Sequence, residues 1–453
     1  MGISENSPMF EGAASIMNLF GKKLPWLYTS VQDEFLACRR SAWLGVNLLT
    51  TPVFDITGAD AAAVLEGICT NKGFADMATG RSKHALICNE RGHLIADGVI
   101  MKRDEGFRSY WLAPVLQYFV LGAKAQGADV DGAYVADEYF LQIDGPKSLQ
   151  ILEEATGTDL HDIAFARNKT VKCCGTDMVV HRLGMSGCLA YELHGNIDDF
   201  DTVYAHIRKI LEKYDGRPQG VASYGIVNHT PGGYPNQLQH FCYALFETED
   251  EQFLEFAKNY CVWMFPAGSA ADDESFCYVT PYEIGWGNLV KFDKCDYPGK
   301  AALEQLKDDP RQRVVVTLEW NAEDCADVFM SQINGTDDEP YDPQMLYPNT
   351  LNDSENGGGA GMLRFDKVMS GDEKVGYAAG RTFAYYERRM LSLGFVYPEY
   401  AAEGTELEVS WCSAKYPREK RIRATVARFP YYDGEWRNET CDVMKMVPER
   451  PYL

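Results

Sequence analysis

"VFDITGADAAAVLEGI", residues 53–68, contains the pattern that decides the fold. Its first residues are typical of a β-strand, Gly58 of a turn, and the remainder of a helix with one apolar face. The same plan recurs in "FLQIDGPKSLQILEEA", residues 140–155, with Gly145 in the place of Gly58. The repeat predicts an α+β fold of duplicated antiparallel units with helices packed on their sheets. Two unrelated strand–turn–helix units would show the same pattern, so the repeat alone leaves that alternative open.

The rest of the chain divides by composition. Residues 331–370 are acidic, Gly-rich and weakly periodic, which predicts a linker. Residues 371–453 contain short runs of alternating apolar and polar residues between turn signals, which indicate a small C-terminal β-barrel or sandwich. The predicted organisation is therefore an N-terminal extension (1–45), a region with both α+β units (46–330), the linker and the barrel.

Charge and hydropathy exclude several classes of protein. The 453 residues carry a net charge of −23, which argues against nucleic acid and anionic membranes as partners. No apolar run approaches membrane-spanning length, and the N-terminus lacks the basic and apolar regions of a signal peptide. We expect a cytoplasmic enzyme that acts on a small molecule.

The thirteen cysteines are scattered and form no C-x-x-C pair with a matching partner pair. This spacing argues against a disulfide framework and against a structural zinc site. The cysteines are expected to be reduced thiols, mostly in the core, and no metal is expected.

Five segments in order resemble the aminomethyltransferase (glycine-cleavage T-protein) superfamily. They are "DITGADAAAVLEGICTN", "CNERGHLIADGVI", "GMSGCLAYELHG", "VTPYEIGWGNLVKFDKCDYPGKAALEQL" and "AEGTELEVSW". The PYEIG-aromatic-G-x-x-VKFD string and the "LEWN" and "YYERRMLSL" segments are most similar to tetrahydrofolate-dependent aryl-ether O-demethylases of the vanillate and syringate type. The resemblance implies a three-domain cloverleaf with tetrahydrofolate in a central hole.

The resemblance also implies a cofactor site. Glu192, in "YELHG", matches the carboxylate that grips the pterin ring, and a carboxylate suits the two N–H groups of a 2-amino-pyrimidinone edge. Asp97, in "LIADGVI", matches the second Asp of an Asp-Asp step beside the folate, and Ala96 replaces the first. Trp286, the aromatic residue of the PYEIG string, is assigned to the same site.

Tyr224 is the expected catalytic residue, together with Asp97. It lies in "GVASYGIVNHTPGGYP", residues 220–235, whose Gly, Asn and Pro content predicts an irregular loop. Aminomethyltransferases have an Arg-Asp step where this chain has Tyr224 and Gly225, and the demethylases place a tyrosine there. A tyrosine hydroxyl, with an ordinary pKa of about 10, matches the phenol that leaves when an aryl methyl ether is broken.

The substrate site departs from the family pattern. The vanillate-type enzymes use a histidine pair and an arginine at positions that hold Leu49, Thr50 and Leu112 here. A pocket without the arginine favours a neutral methoxyarene, because burial of an unpaired carboxylate is costly. The residues expected to line this pocket are Leu49, Leu112, Tyr28, Tyr234 and His84.

The predicted reaction is therefore transfer of the methyl group of a methoxylated aromatic to N5 of tetrahydrofolate, with release of a phenol and 5-methyltetrahydrofolate. An S- or N-demethylase or aminomethyltransferase of the same superfamily is the first alternative. A non-catalytic folate-binding scaffold is the second, but the Tyr282 to Lys300 segment lacks the Lys-Gly-Cys-Tyr motif of such proteins.

Overall fold

The computed structural model describes residues 3–19, 21–227, 229–261, 263–273, 277–336, 338–343, 360–432, 434–435 and 437–445. Residues 344–359 of the predicted linker, and the end of the chain after 445, lie outside the described residues. Within the described part, no helix is both long and apolar enough to cross a membrane. All thirteen cysteines are free thiols, as predicted, and nine of them are buried.

The chain begins with a hairpin, a helix and a short strand. Their bounds are β1 (Ser15–Leu19), β2 (Lys22–Leu27), α1 (Val31–Arg40) and β3 (Trp43–Gly45). Helix α1 starts where the Ser30 side chain accepts a hydrogen bond from the Asp33 backbone N–H, and acidic residues in its first turn and arginines in its last suit the helix dipole.

Two consecutive units follow with the same order of elements, strand–helix–three strands–helix–strand. The first unit consists of β4 (Val53–Thr57), α2 (Ala61–Ile68), β5 (Ser82–Cys88), β6 (Leu94–Lys102), β7 (Phe107–Tyr110), α3 (Val115–Ala125) and β8 (Asp131–Val135). The second consists of β9 (Glu138–Asp144), α4 (Ser148–Thr156), β10 (Asn168–Cys173), β11 (Thr176–His181), β12 (Ala190–Asn196), α5 (Phe200–Lys213) and β13 (Arg217–Gln219). The duplicated α+β fold predicted from residues 53–68 and 140–155 is confirmed.

Gly58 and Gly145 show why both repeats need glycine. Their φ angles are +108° and +133°, in the region that residues with a Cβ rarely adopt. A Cβ on Gly58 would lie 2.2 Å from the Asp129 carbonyl oxygen, and one on Gly145 would lie 2.3 Å from the Ser41 carbonyl oxygen. Each turn therefore packs its backbone against the segment that leads into another strand of the same sheet, β8 for Gly58 and β3 for Gly145.

The two sheets differ by one strand. The first has the order β5-β6-β7-β4-β8, and the second has the order β10-β11-β12-β9-β3-β13. Strand β3 runs antiparallel to β9 and parallel to β13, so it occupies an interior position. The predicted N-terminal extension, residues 1–45, thus contributes a strand to the second unit and is not a separate appendage.

A β-barrel completes the fold. The bounds of the later elements are α6 (Val221–Val227), α7 (His229–Gly232), α8 (Glu251–Tyr260), β14 (Trp263–Ala267), α9 (Lys300–Leu306), β15 (Val314–Trp320), α10 (Ala322–Met330), β16 (Ala360–Ser370), β17 (Glu373–Ala384), β18 (Arg389–Val396), β19 (Glu406–Trp411) and β20 (Lys420–Ala427). Strands β16, β17, β18, β15, β20 and β19 pair in this order, and β19 returns to β16 to close the barrel. The barrel therefore recruits β15 and β16 from outside the predicted range 371–453.

The segment around Tyr224 is helical, so the prediction of an irregular loop was wrong. Tyr224 lies in the middle of α6, and its backbone N–H bonds to the Gly220 carbonyl at 3.3 Å. The turn-forming residues lie mostly at the ends of α6 and α7, and the packing of α6 against α1, β2 and β17 outweighs the low helix propensity of one internal glycine.

Candidate functional site

A polar wall lies on one face of the second sheet. Glu192 and His194 alternate along β12, and Glu192 is directly opposite His181 on one side and Gln142 on the other. Directly opposed residues of antiparallel strands share a face, so these four side chains project together. Tyr191 and Leu193, which alternate with Glu192 and His194 along the strand, point into the apolar core on the other face.

Several buried atoms of this wall lack a hydrogen bond of good geometry to any described residue. They are Glu192 Oε2, His181 Nδ1, His194 Nε2, Gln142 Oε1, Asp144 Oδ1, Asn47 Oδ1 and both polar atoms of the Gln219 side chain. Unsatisfied buried polar groups are rare and costly in folded proteins. Such a concentration on one face is typical of a site that binds a polar ligand.

The centre of the wall is the Glu192 carboxylate. His181 Nδ1 lies 3.3 Å from Glu192 Oε2, and His194 Nε2 lies 4.0 Å from the same oxygen. Burial lowers the pKa of His181 and outweighs the neighbouring carboxylate, so this imidazole is neutral at physiological pH.

The outer nitrogens of both histidines are held in place. Ser82 Oγ on β5 bonds to His181 Nε2 at 2.7 Å, and Glu138 Oε1 lies 3.1 Å from His194 Nδ1. Arg108 forms an ion pair with Glu138, and the Tyr110 hydroxyl donates to Glu138 at 3.0 Å. Burial opposes ionisation of Glu138, but these partners outweigh it and lower its pKa, so the carboxylate stays charged.

Tyr224 lies against the edge of this wall. Its ring meets Trp43 edge-on at 5.8 Å and His229 edge-on at 5.4 Å between centroids. Burial raises the pKa of Tyr224 well above 10, and the nearby Asp144 and Glu192 carboxyl groups raise it further. The hydroxyl therefore keeps its proton and is suited to donate a hydrogen bond.

Asp144, which acts electrostatically on Tyr224, is a second buried group with a raised pKa. It is fully buried on β9 and accepts a hydrogen bond from the Gln142 side-chain amide at 3.0 Å. Burial raises the pKa of Asp144 well above its ordinary value, despite the hydrogen bonds from Ser186 and Gln142. The raised pKa favours the protonated form of this carboxyl group.

Asp97 belongs to a second cluster, on β6 of the first unit. His84 Nε2 lies 2.7 Å from Asp97 Oδ2, and the Tyr243 hydroxyl donates to Asp97 Oδ1. The same hydroxyl accepts the Asp97 backbone N–H at 3.0 Å. The Trp286 ring packs edge-on against His84 at 4.6 Å, so the predicted residues Asp97, His84 and Trp286 come together.

Strand β5 joins the two clusters. Ser82 and His84 alternate along it and share a face; Ser82 bonds to His181 of the wall and His84 bonds to Asp97. Strand β5 thus holds one side chain against each of the two clusters that contain the residues assigned to the cofactor.

Two of the other residues predicted to line the substrate pocket, Leu112 and Leu49, lie in different environments. Leu112 is 36% exposed and follows Trp111, whose ring packs on Gly98 next to Asp97. Leu49 is buried in the core of the second unit, in the turn that begins with Asn47.

The hydroxyls of Tyr28 and Tyr234 bond to residues outside the polar wall. That of Tyr28 donates to the Met9 carbonyl and lies 3.1 Å from the Tyr204 hydroxyl. That of Tyr234 donates to Glu439 at 2.6 Å. The sequence could not show these partners, because each is distant along the chain.

Sequence reasoning missed His181, His194, Gln142, Asp144 and Tyr243. One signal was present: Glu192 lies on a strand, so His194 two residues later had to share its face. The cross-strand partners His181 and Gln142 depend on register, which the turn chemistry of this chain does not specify.

The comparisons with known proteins agree with this architecture. Residues 9–228 match the family described as the GCVT N-terminal domain. The structure resembles that of the glycine cleavage system aminomethyltransferase T from Bartonella henselae, with a TM-score of 0.62, 16% identity and coverage of 95% of this chain and 96% of that one. The fold is therefore that of the T-protein.

Two curated relatives refine the assignment. Sesamin methylene transferase from Sinomonas sp. (strain No.22) is 38% identical over 98% of this chain and 97% of its own. Syringate O-demethylase from Sphingobium sp. (strain NBRC 103272 / SYK-6) is 25% identical over 92% of this chain and 94% of its own. The protein is an enzyme, a transferase; it belongs to the aminomethyltransferase superfamily, close to its aryl-ether branch.

Proposed function

We propose that the protein removes the one-carbon group of a neutral aryl ether and transfers it to tetrahydrofolate. The observation that carries the proposal is the polar wall around Glu192, which lies beside a tyrosine that keeps its proton. The Glu192 carboxylate suits a pterin edge, and the Tyr224 hydroxyl suits an aryl oxygen on which negative charge develops.

The wall fits the pterin by its chemistry. The Glu192 carboxylate is an acceptor for the two N–H groups of a 2-amino-pyrimidinone, and its Oε2 has no hydrogen bond to a described residue. Trp286, held edge-on against His84, offers an apolar ring for packing. Tetrahydrofolate supplies the N5 nitrogen that accepts the one-carbon unit.

For a methoxyarene, the bond between the methyl carbon and the aryl oxygen breaks as a bond from the same carbon to nitrogen forms. The nitrogen loses one proton and the aryl oxygen gains one, so the site must carry both. Asp97 holds His84 and Tyr243 on its two oxygens, and this hydrogen-bonded group is positioned to accept the proton from the amine.

Tyr224 and Asp144 serve the leaving oxygen. Because the pKa of Tyr224 lies above that of an ordinary phenol, its main contribution is a hydrogen bond that strengthens as the aryl oxygen becomes negative. Asp144, whose raised pKa favours the protonated carboxyl group, is the proposed donor for the phenol product.

Leu112 and the aromatic surroundings favour a substrate without a carboxylate. Leu112 stands where the vanillate-type enzymes have an arginine, and it lies near Asp97 through the packing of Trp111 on Gly98. A carboxylated ring would lack a cationic partner at this position.

A methylenedioxy ring is a second candidate substrate, favoured by the 38% identity with a methylene transferase over nearly the whole chain. Removal of its bridging carbon breaks two carbon–oxygen bonds, and two nitrogen protons replace the carbon on the two oxygens. The site has two proton-carrying groups, Asp97 with His84 and Tyr243, and Asp144 with Tyr224, which matches this requirement.

Product analysis tests the proposal and separates the two substrates. Purified protein and tetrahydrofolate are incubated with neutral methoxyarenes, methylenedioxyarenes and their carboxylated analogues, and folate products are identified by mass spectrometry. A methoxyarene is expected to yield a phenol and 5-methyltetrahydrofolate, and a methylenedioxyarene a catechol and 5,10-methylenetetrahydrofolate. Turnover of methyl-sulfur or methylamine donors alone would refute the aryl-ether assignment.

A further inference from the structure

We propose that Cys38 and Cys188 form a thiol pair that reacts with hydrogen peroxide and closes to a disulfide bond. Cys38 lies in the last turn of α1, and Cys188 lies in the connection between β11 and β12. The Cys38 thiol donates a hydrogen bond to the Cys188 sulfur at 3.5 Å, although 150 positions of the chain separate the two residues. Neither residue belongs to the polar wall or to the Asp97 cluster.

The two sulfur atoms are already neighbours in the folded chain. A disulfide bond has a sulfur–sulfur distance of about 2.05 Å, so the sulfurs need to approach by about 1.5 Å. Both side chains are 0% exposed and belong to the apolar core of the second unit. Because the residues are so distant in sequence, the folded structure is what brings these thiols together.

A buried arginine distinguishes Cys188 from an ordinary core cysteine. Arg39 is 1% exposed, and its Nη1 donates a hydrogen bond to the Cys188 sulfur at 3.0 Å. Its Nη2 lies 3.8 Å from a Glu387 oxygen, and its guanidinium lies 3.9 Å from the centroid of the Tyr432 ring. A guanidinium keeps its charge in a protein, so its burial favours anionic partners around it. The thiolate form of Cys188 is such a partner.

The surroundings assign different roles to the two thiols. Burial opposes ionisation of Cys188, but the hydrogen bond from Cys38 and the charge of Arg39 outweigh it and lower the pKa of Cys188. Burial and the neighbouring Cys188 sulfur raise the pKa of Cys38. Because the thiolate is the nucleophilic form of cysteine, Cys188 attacks the oxidant and Cys38 completes the disulfide. By contrast, burial alone raises the pKa of Cys261 to about 12.

The oxidation takes two steps and reduces the peroxide to two water molecules. The Cys188 thiolate attacks one peroxide oxygen, the oxygen–oxygen bond breaks, and the hydroxide that leaves takes a proton from solvent. The Cys38 sulfur then attacks the sulfur of the Cys188 sulfenic acid, and the sulfur–oxygen bond breaks. The second hydroxide takes the Cys38 proton and leaves as water, so each sulfur has lost one electron.

The burial of the pair determines which reagents reach it. Cys188 is fully buried, whereas Met185, three residues earlier in the same connection, is 37% exposed. A small uncharged oxidant is therefore expected to reach Cys188, and bulky thiol reagents are expected to modify the exposed Cys174 and Cys295 first. The disulfide would join the end of α1 to the connection that leads into β12.

Cys173 and Cys174 provide a matched control. Their sulfur atoms also lie within 4.8 Å of one another, and Cys174 is exposed. Burial and the neighbouring Cys174 raise the pKa of Cys173, so proximity of two thiols is present here without a lowered pKa of Cys173. The variants C173S and C174S report on this pair, whereas C38S, C188S and R39Q report on the proposed site.

The experiment treats reduced full-length protein with hydrogen peroxide, stops the reaction by alkylation in denaturant, and maps linked cysteines by peptide mass spectrometry. We expect a Cys38–Cys188 disulfide that dithiothreitol reverses, and two fewer free thiols than the thirteen of the reduced chain. C38S should stop at the sulfenic acid of Cys188, which dimedone added in denaturant traps, and C188S should leave Cys38 reduced. R39Q should slow the oxidation at pH 7 by about tenfold or more, because loss of the cation lowers the thiolate fraction of Cys188. C173S and C174S should form the disulfide at the wild-type rate.

Circular dichroism before and after peroxide treatment shows whether each protein is folded. Oxidation of Cys38 at the wild-type rate in folded C188S would overturn the proposal. A Cys173–Cys174 disulfide that forms while Cys38 and Cys188 stay reduced would do so too, as would a Cys38–Cys188 link that appears only after the protein has unfolded. The measurement contains no folate or aryl ether, so its result is independent of the proposed function.

Discussion

Replacement of Tyr224 by phenylalanine isolates the contribution of one hydroxyl. The ring packs edge-on against Trp43 and His229, and phenylalanine keeps both contacts, so the fold should change little. The hydroxyl is buried beside Asp144 and Glu192, where its pKa is raised, and it acts on the leaving oxygen as a hydrogen-bond donor. Removal of one such donor from a site of developing charge costs about 2.7–4 kcal/mol, or about 10²–10³-fold in kcat. The folate affinity should remain within a few-fold of wild type.

The assay follows phenol or catechol release under saturating tetrahydrofolate, with a series of aryl ethers whose phenols differ in acidity. The loss in Tyr224→Phe should shrink as the phenol becomes more acidic, because a better leaving group needs less stabilisation. Tyr28→Phe is the matched control: it also removes a buried hydroxyl, but one that bonds to Met9 and Tyr204. A loss in kcat that is equal in both variants, or constant across the series, would refute the role of Tyr224.

Four further outcomes are expected. Glu192→Ala should weaken tetrahydrofolate binding by about tenfold or more, as charge-assisted hydrogen bonds are lost; unchanged affinity in fluorescence titration would place the pterin elsewhere. Leu112→Arg should raise kcat/KM for carboxylated relative to neutral aryl ethers, because the guanidinium meets the carboxylate; a wild type that already prefers the acids would contradict the neutral pocket. Because the pKa of Asp144 is raised in the folded state, its contribution to stability is greatest below about pH 4 and falls as the pH rises from there through its folded pKa, so Asp144→Asn should flatten the fall in Tm above about pH 4; parallel pH profiles would exclude this effect. Gly145→Ala should lower stability by about 2–4 kcal/mol in denaturant unfolding, since its Cβ would meet the Ser41 carbonyl at 2.3 Å; a neutral effect would show that the turn relaxes.

The sequence predicted the fold where patterns are local. The strand–glycine–helix repeat around Gly58 and Gly145 carries its periodicity and its turn residue within sixteen positions, so both units were recognisable. The interior position of β3 was not, because its partners on β9 and β13 are about 100 and 170 residues away along the chain.

In the candidate site, too, the residues that lie in local motifs were predictable from the sequence. Glu192, Asp97 and Trp286 lie in motifs, and the structure brings His84 to Asp97 and Trp286 as a single cluster. The helix around Tyr224 and the hydrogen-bond partners of the Tyr28 and Tyr234 hydroxyls depend on tertiary contacts that propensity does not report.

The interior strand β3 has a consequence for biosynthesis. A chain leaving the ribosome presents residues 43–45 first, then all of the first unit, and only then β9 and β13. The first unit can complete its own sheet while β3 still waits for neighbours, so the second unit cannot close until about residue 219 has emerged. The first unit is thus inserted between β3 and β9 of the second unit. Its first and last strands, β4 and β8, are neighbours in its sheet, so the inserted unit begins and ends close to one place. Truncation of the first 45 residues would remove an inner strand, and β9 and β13 would each lose their pairing with it beside the polar wall.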